Sequence, residues 1–135
     1  MTEQSDVPPA LMLRQLAFVM RASRALYAAA ELNLADFLAS GPMTSGELAA
    51  AAGADAATLR RLMRALVAHG VFEEDTPDRF RLNAAGELMR RNVPGSQRAA
   101  VLFTAGNICW QLWLDFSRVR AHRALLRQDG FRAPR

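Results

Sequence analysis

Residues 32–92 constrain the fold most, because signals for the start and the end of helices stand there at close intervals. Thr44-Ser-Gly-Glu47 matches the capping box, in which each outer side chain accepts a hydrogen bond from the other residue's backbone N–H. The box predicts a helix over residues 45–52. Gly53 is predicted to end that helix, since glycine adopts the left-handed backbone conformation without steric cost.

A second helix and a hairpin are predicted directly after this first helix. Asp55 is a favourable N-cap for a helix over residues 56–69. Apolar residues recur there at helical spacing, namely at Leu59, Leu62, Met63, Leu66 and Val67. Residues 71–75 and 79–82 are predicted to pair as strands around a turn at 76–78. Helix, turn, helix and hairpin in this order predict a winged helix.

The regions on both sides of this winged helix are also predicted to be helical. Apolar residues occupy nearly every side of the stretch 11–38, and a stripe too wide for one core indicates a second burial surface. We interpret that surface as a contact with a partner subunit; the alternative is a central helix wrapped by its own domain. A last helical region is predicted from residue 97 to about 119. The fold class is therefore mainly α, a winged helix-turn-helix with a small β-hairpin and extra N- and C-terminal helices for dimerisation.

The chain is accordingly divided into three parts. Residues 1–9 are expected to be a disordered N-terminus, residues 10–117 a winged-helix dimerisation domain, and residues 118–135 an atypical arginine-rich tail. We expect a homodimer whose interface draws on large side chains of the flanking helical regions: Leu11, Leu16, Phe18, Met20, Leu26, Tyr27 and Trp113.

The positive charge of the chain is concentrated in its last eighteen residues. All 17 basic residues are arginines. Residues 1–117 hold 11 of them against 12 acidic residues, a net charge of −1, whereas residues 118–135 hold 6 against 1, a net charge of +5. A nearly neutral body disfavours nucleic acid as a partner, because sequence-independent affinity for DNA comes from neutralising phosphates.

A small DNA-binding regulator is nevertheless an alternative function for a winged helix. Arg60, Arg61 and Arg64 stand on the outer face of the second helix and could contact phosphates. The hairpin at 73–78, however, carries four acidic residues that would repel a phosphate backbone. Because neighbours along a strand point to opposite faces, we interpret these carboxylates as a solvated edge and not as a metal site.

No catalytic, cofactor-binding or metal-binding residue is predicted in this chain. The sequence has no glycine-rich phosphate loop, and His69 is assigned a structural role at the end of its helix. Cys109 is interpreted as a small buried apolar residue, and a single cysteine is consistent with a reducing cytoplasm, the predicted location. No apolar run reaches the ~18 residues that a membrane span needs, so no membrane partner is expected.

Aromatic residues follow one another at helical spacing in the last helical region. Phe103, Asn107, Trp110 and Trp113 stand at intervals of four, three and three residues. The spacing favours packing in a core or an interface. The alternative is an aromatic wall against which a flat small molecule lies.

Four segments together carry a resemblance to a known family: residues 26–39, 43–49, 59–72 and 82–90. They resemble the N-terminal dimerisation domain of the class I S-adenosylmethionine-dependent small-molecule O-methyltransferases. That family includes the plant phenylpropanoid enzymes and the bacterial polyketide and hydroxyneurosporene enzymes. The resemblance covers about residues 10–117.

The resemblance implies a mostly helical domain that exchanges helices with its twin and lines part of a substrate pocket. By spacing relative to Trp113 of the last helical region, it places Phe103, Thr104, Asn107 and Trp110 in that pocket. The substrate expected for the full-length family is a small hydroxylated metabolite of aromatic, polyketide or carotenoid type, and the expected cofactor is S-adenosylmethionine.

The family's cofactor-binding Rossmann-like domain and its catalytic histidine have no counterpart in this sequence. We therefore expect a truncated module that binds no cofactor and has no catalytic activity by itself. The remaining alternative is a stand-alone accessory subunit of a separate methyltransferase.

Overall fold

The computed structural model describes residues 7–115, and both the first six residues and the predicted tail 118–135 lie outside this range. Helix α1 begins at Pro9, one residue before the expected domain boundary at residue 10. The elements follow in the order α1 Pro9–Glu31, α2 Leu34–Leu38, β1 Met43–Thr44, α3 Ser45–Ala52, α4 Ala56–Ala68, β2 Phe72–Thr76, β3 Arg79–Leu82, α5 Ala84–Glu87 and α6 Arg98–Thr104. A further helix, α7, covers residues 107–115.

The predicted boundaries of the winged helix are confirmed to within one residue. The Glu47 N–H donates to Thr44 Oγ1 at 3.2 Å, and the Thr44 N–H donates to Glu47 Oε2 at 2.8 Å, which completes the capping box of α3. Gly53 ends α3 with φ 65°. The Thr58 N–H donates to Asp55 Oδ2 at 2.8 Å and so caps α4. These helices therefore begin where local side-chain chemistry satisfies their first N–H groups.

The hairpin belongs to a three-stranded antiparallel sheet in the order β1-β3-β2. Strand β1 has only two residues, and Met43 pairs with Phe80 of β3. Phe80 and Phe72 of β2 turn their rings into the domain and are almost completely buried. The sheet thus closes one side of the core, and Glu73 and Asp75 of the hairpin are exposed.

The core lies between the C-terminal end of α1, helices α2 to α4 and the sheet. Its most buried large side chains, all less than 2% exposed, are Phe72, Phe80, Leu34, Leu48, Leu59, Met63 and Leu66. Two arginines of the segment 91–98 form hydrogen bonds with the core helices α1 and α2. The Arg91 Nε donates to Asp36 Oδ2 at 3.0 Å, and the Arg98 Nε donates to the Ala30 carbonyl oxygen at 3.0 Å. They fix the start of α6 beside α1.

The prediction of one continuous helical region from residue 97 is wrong, because the chain breaks between α6 and α7. Ala105 and Gly106 are not helical, and α7 starts at residue 107. A Cβ atom at Gly106 would overlap the carbonyl oxygen of Leu102 and lie 3.4 Å from Cε2 of Tyr27. The close approach of these groups therefore requires glycine at the break.

Candidate functional site

The N-terminal half of α1 projects beyond the core, and every residue in the range 7–21 is exposed. We call residues 9–21 the N-terminal arm; at 1.5 Å per residue the arm is about 20 Å long. Its exposed large apolar residues are Leu11, Met12, Leu13, Leu16, Phe18, Val19 and Met20. Four of these were predicted at the subunit contact: Leu11, Leu16, Phe18 and Met20.

Two other residues predicted at the subunit contact are less exposed than those of the arm. Leu26 is partly buried and packs against the core. Tyr27 is partly buried as well, and its hydroxyl lies 3.4 Å from Glu31 Oε1. Trp113 of α7, by contrast, is 71% exposed. Most of the exposed large apolar residues therefore lie on the N-terminal arm and α7.

A groove of about 800 Å³ separates α1 from α7 and the break before it. Most of its wall is apolar. The lining residues are Leu16, Val19, Met20, Ser23 and Arg24 from α1, and Thr104, Ala105, Gly106, Trp110, Trp113 and Leu114 from the other side.

Among the residues of the range 7–115 that line the groove, Arg24 is the one with a charged side chain, and it was not predicted from the sequence. Its Nη1 donates to the Ala105 carbonyl oxygen at 3.0 Å and lies 3.4 Å from Asn107 Oδ1. Its Cζ lies 4.9 Å from the centre of the Tyr27 ring and 6.0 Å from that of Trp110. An arginine within a stretch of small and apolar residues was the signal available, but its hydrogen-bond partners stand more than 80 positions away.

The four residues predicted to line a substrate pocket fall into two neighbouring cavities. Thr104 and Trp110 line the larger groove. Phe103 and Asn107 line a smaller cavity of about 260 Å³, which is also bordered by Tyr27 and Gly106. Gly106 borders both cavities, so the break between α6 and α7 directs one pair of residues to each.

Two of the three arginines of α4 are paired with the wing hairpin. Arg60 Nε lies 3.5 Å from Asp78 Oδ1, and Arg64 Nη2 lies 3.4 Å from Glu74 Oε1. Two of the three charges that a recognition helix would offer to phosphates are thus offset by carboxylates of the same domain. This arrangement weakens the alternative of a DNA-binding regulator.

The pKa of the Glu74 carboxyl is lowered below its ordinary value. The largest cause is the hydrogen bond from the Asp78 N–H, at 2.8 Å, and the Arg64 side chain acts in the same direction, while desolvation opposes both. A carboxyl whose folded-state pKa is depressed stabilises the fold above its unfolded-state pKa. That stabilisation is lost as the pH falls through the folded-state pKa.

Replacing Glu74 with glutamine should therefore make the melting temperature less sensitive to acid. We expect the wild-type melting temperature to fall further than that of Glu74→Gln between pH 7 and pH 3, since only the wild type loses this contribution. Thermal unfolding followed by circular dichroism measures the difference. Glu31→Gln, on α1, is the control and should keep the wild-type acid sensitivity; an equally steep fall in Glu74→Gln would contradict the assignment.

Residues 7–115 hold no group of three or more histidine, cysteine, aspartate or glutamate side chains that could bind a metal ion. None of the helices described over this range combines the length and the apolar character that crossing a bilayer requires.

Known proteins are similar to this chain in both sequence and fold. The profile of the O-methyltransferase dimerisation domain matches residues 14–92. The chain is 39% identical over 104 residues to the 8-amino-8-demethylriboflavin N,N-dimethyltransferase of Streptomyces davaonensis, an alignment that covers 77% of this chain and 30% of the relative.

Two solved structures superpose closely on the described fold. The crystal structure of LaPhzM matches with a TM-score of 0.78 and 33% identity, over 83% of this chain and 33% of that one. The methyltransferase CalO1 of calicheamicin biosynthesis, crystallised with S-adenosylhomocysteine bound, matches with a TM-score of 0.68 and 38% identity, over 78% and 32% respectively. The chain spans about a third of the length of these relatives. It belongs to the O-methyltransferase dimerisation domain family.

Proposed function

We propose that this chain is the dimerisation domain of a small-molecule methyltransferase, that it pairs with a second copy of itself, and that its groove forms one wall of the acceptor site. The observation that carries the proposal is the N-terminal arm. A soluble monomer rarely leaves a large contiguous apolar surface in water. A second copy that covers the arm and α7 would remove this surface from solvent.

The groove supports the second half of the proposal. Binding sites for small organic molecules are concave and mostly apolar, with a few polar groups that fix the orientation of the ligand. The groove has this composition, and Trp110 and Trp113 offer flat faces for stacking. The Streptomyces davaonensis relative is named for a riboflavin derivative, which is a flat, fused-ring acceptor. A flat aromatic metabolite with a hydroxyl or amino group is the acceptor class that we assign to this domain.

The described residues do not fit S-adenosylmethionine, which the family uses. Their sheet is antiparallel and lacks the parallel strand, glycine-rich turn and helix that commonly hold such cofactors in α/β domains. Arg24, the charged residue of the groove, would also repel the positive sulfonium of the cofactor. Cofactor binding and methyl transfer are therefore assigned to parts of the full-length enzymes that this chain does not match.

Replacing Leu16 with glutamate should weaken the dimer. Leu16 is 63% exposed on the arm, and burying a carboxylate against apolar side chains is costly. We expect a dimeric wild type at micromolar concentration and a dissociation constant raised by about tenfold or more in the variant. Sedimentation equilibrium over a concentration series measures both values.

The matched control is Ala57→Glu, which introduces the same side chain at an exposed position in the first turn of α4. A carboxylate at a helix N-terminus is tolerated, so this variant should dimerise like the wild type. A monomeric wild type at micromolar concentration, or equal weakening by both variants, would overturn the proposed dimer.

A further inference from the structure

We propose that Arg24 makes the groove selective for flat aromatic acceptors that carry a carboxylate, which the guanidinium binds while the ring system lies against Trp110. This inference rests on the proposed function and specifies the chemical class of its acceptor. Arg24 is a specificity-determining residue in this proposal and takes no part in methyl transfer.

The first support is the set of donors that Arg24 leaves available. A guanidinium has five N–H donors, and the hydrogen bonds of Arg24 use only Nη1, towards Ala105 and Asn107. Within residues 7–115, no hydrogen-bond acceptor engages Nε or Nη2, and no carboxylate forms an ion pair with Arg24. The Nε–H and both Nη2–H groups therefore remain for a ligand. The Nε–H and one Nη2–H lie on the same edge of the guanidinium, where a carboxylate accepts two parallel hydrogen bonds.

The second support is that the fold holds this guanidinium in place before any ligand arrives. The Ala105 carbonyl oxygen fixes Nη1, and the Tyr27 and Trp110 rings lie within 4.9 and 6.0 Å of Cζ. A flexible arginine loses side-chain entropy when it binds an anion, whereas a preorganised one has already lost most of it. The half-buried position also strengthens attraction to a carboxylate, because water screens it less.

The third support is the distribution of charge and polarity along the groove. Ser23 and Thr104 are the uncharged polar neighbours of Arg24 in the lining, and the Thr104 hydroxyl donates to the Ala100 carbonyl oxygen of its own helix. Leu16 stands eight residues before Arg24, about 12 Å along the axis of α1. A second copy can therefore cover the apolar end of the groove while the end at Arg24 takes the ligand.

The chain carries its own reporters for this experiment, because Trp110 and Trp113 are its two tryptophans and both line the groove. The probes are 1-naphthoate and its neutral isostere 1-naphthamide. Each is titrated into the full-length chain labelled with ¹⁵N, at low ionic strength, and the two indole N–H signals are followed by NMR. We expect naphthoate to bind about tenfold more tightly than naphthamide, the effect of hydrogen bonds to a charged group.

The variants separate selectivity from stability. Arg24→Gln should bind both probes with equal affinity, and Arg24→Lys should keep part of the preference for the anion because it keeps the charge. Arg21→Gln is the matched control: Arg21 lies on the same helix with its Cζ 5.1 Å from the Phe18 ring, but it does not line the groove. This control should retain the wild-type preference.

Three results would overturn the inference: no binding of naphthoate to the wild type, equal affinity of the wild type for both probes, or a preference that survives in Arg24→Gln. Sedimentation of the same samples identifies which proposal has failed. A dimer without preference for the anion removes only the role of Arg24, whereas a monomer removes the proposed function on which that role rests.

Discussion

Replacing Leu48 with alanine is expected to lower the free energy of unfolding by about 3–5 kcal/mol. Leu48 lies on α3 with no exposed surface and belongs to the core cluster shared with α4 and the sheet. The truncation removes apolar atoms from the core and leaves a cavity that the close-packed neighbours fill only in part. For a domain of this size the melting temperature should fall by about 15 °C or more.

Leu88→Ala is the matched control, because it removes the same atoms from a leucine that is 40% exposed. We expect it to cost about 1 kcal/mol or less. Chemical denaturation of both variants must be done at one protein concentration, since association with a second copy adds to the apparent stability of the fold. Equal losses in the two variants would contradict the assignment of Leu48 to the core.

The winged helix could be predicted from the sequence because its boundaries depend on neighbouring residues. Thr44 and Glu47 satisfy each other's N–H groups within one helical turn. Asp55 caps α4 by accepting from the N–H of Thr58, three residues later. The resemblance to the methyltransferase family, carried by segments of this same region, is also confirmed. Capping interactions between residues that are close in sequence can be recognised as sequence motifs.

Strand β1 and the features that build the groove could not be predicted because they depend on distant parts of the chain. Strand β1 exists through the pairing of Met43 with Phe80, and two residues alone carry no strand signal. The position of Arg24 is set by Ala105, 81 residues later. The break at Gly106 interrupts a stretch whose spacing is otherwise helical, since the glycine is required by contacts with Leu102 and Tyr27 and not by a turn motif.

Replacing Gly106 with alanine is expected to displace the break and to lower the free energy of unfolding by about 3 kcal/mol. The new Cβ would overlap the Leu102 carbonyl oxygen, which is backbone and cannot rotate away. The turn must then shift, and it carries both the Ala105 carbonyl that holds Arg24 and the Gly106 carbonyl that accepts from the backbone N–H of Trp110 at 3.1 Å. The indole signals of Trp110 and Trp113 should therefore move in the unliganded variant.

Gly46→Ala is the control with the opposite expected sign. Gly46 lies exposed in α3, and a Cβ there would come no closer than 3.9 Å to Thr44 Oγ1. Because alanine favours helix over glycine, this variant should gain about 0.5–1 kcal/mol and leave the indole signals unchanged. If both variants gained stability, Gly106 would be an ordinary helical glycine. The groove would then owe its shape to the packing of α7 against α1, and the two tryptophans would keep their places without the break.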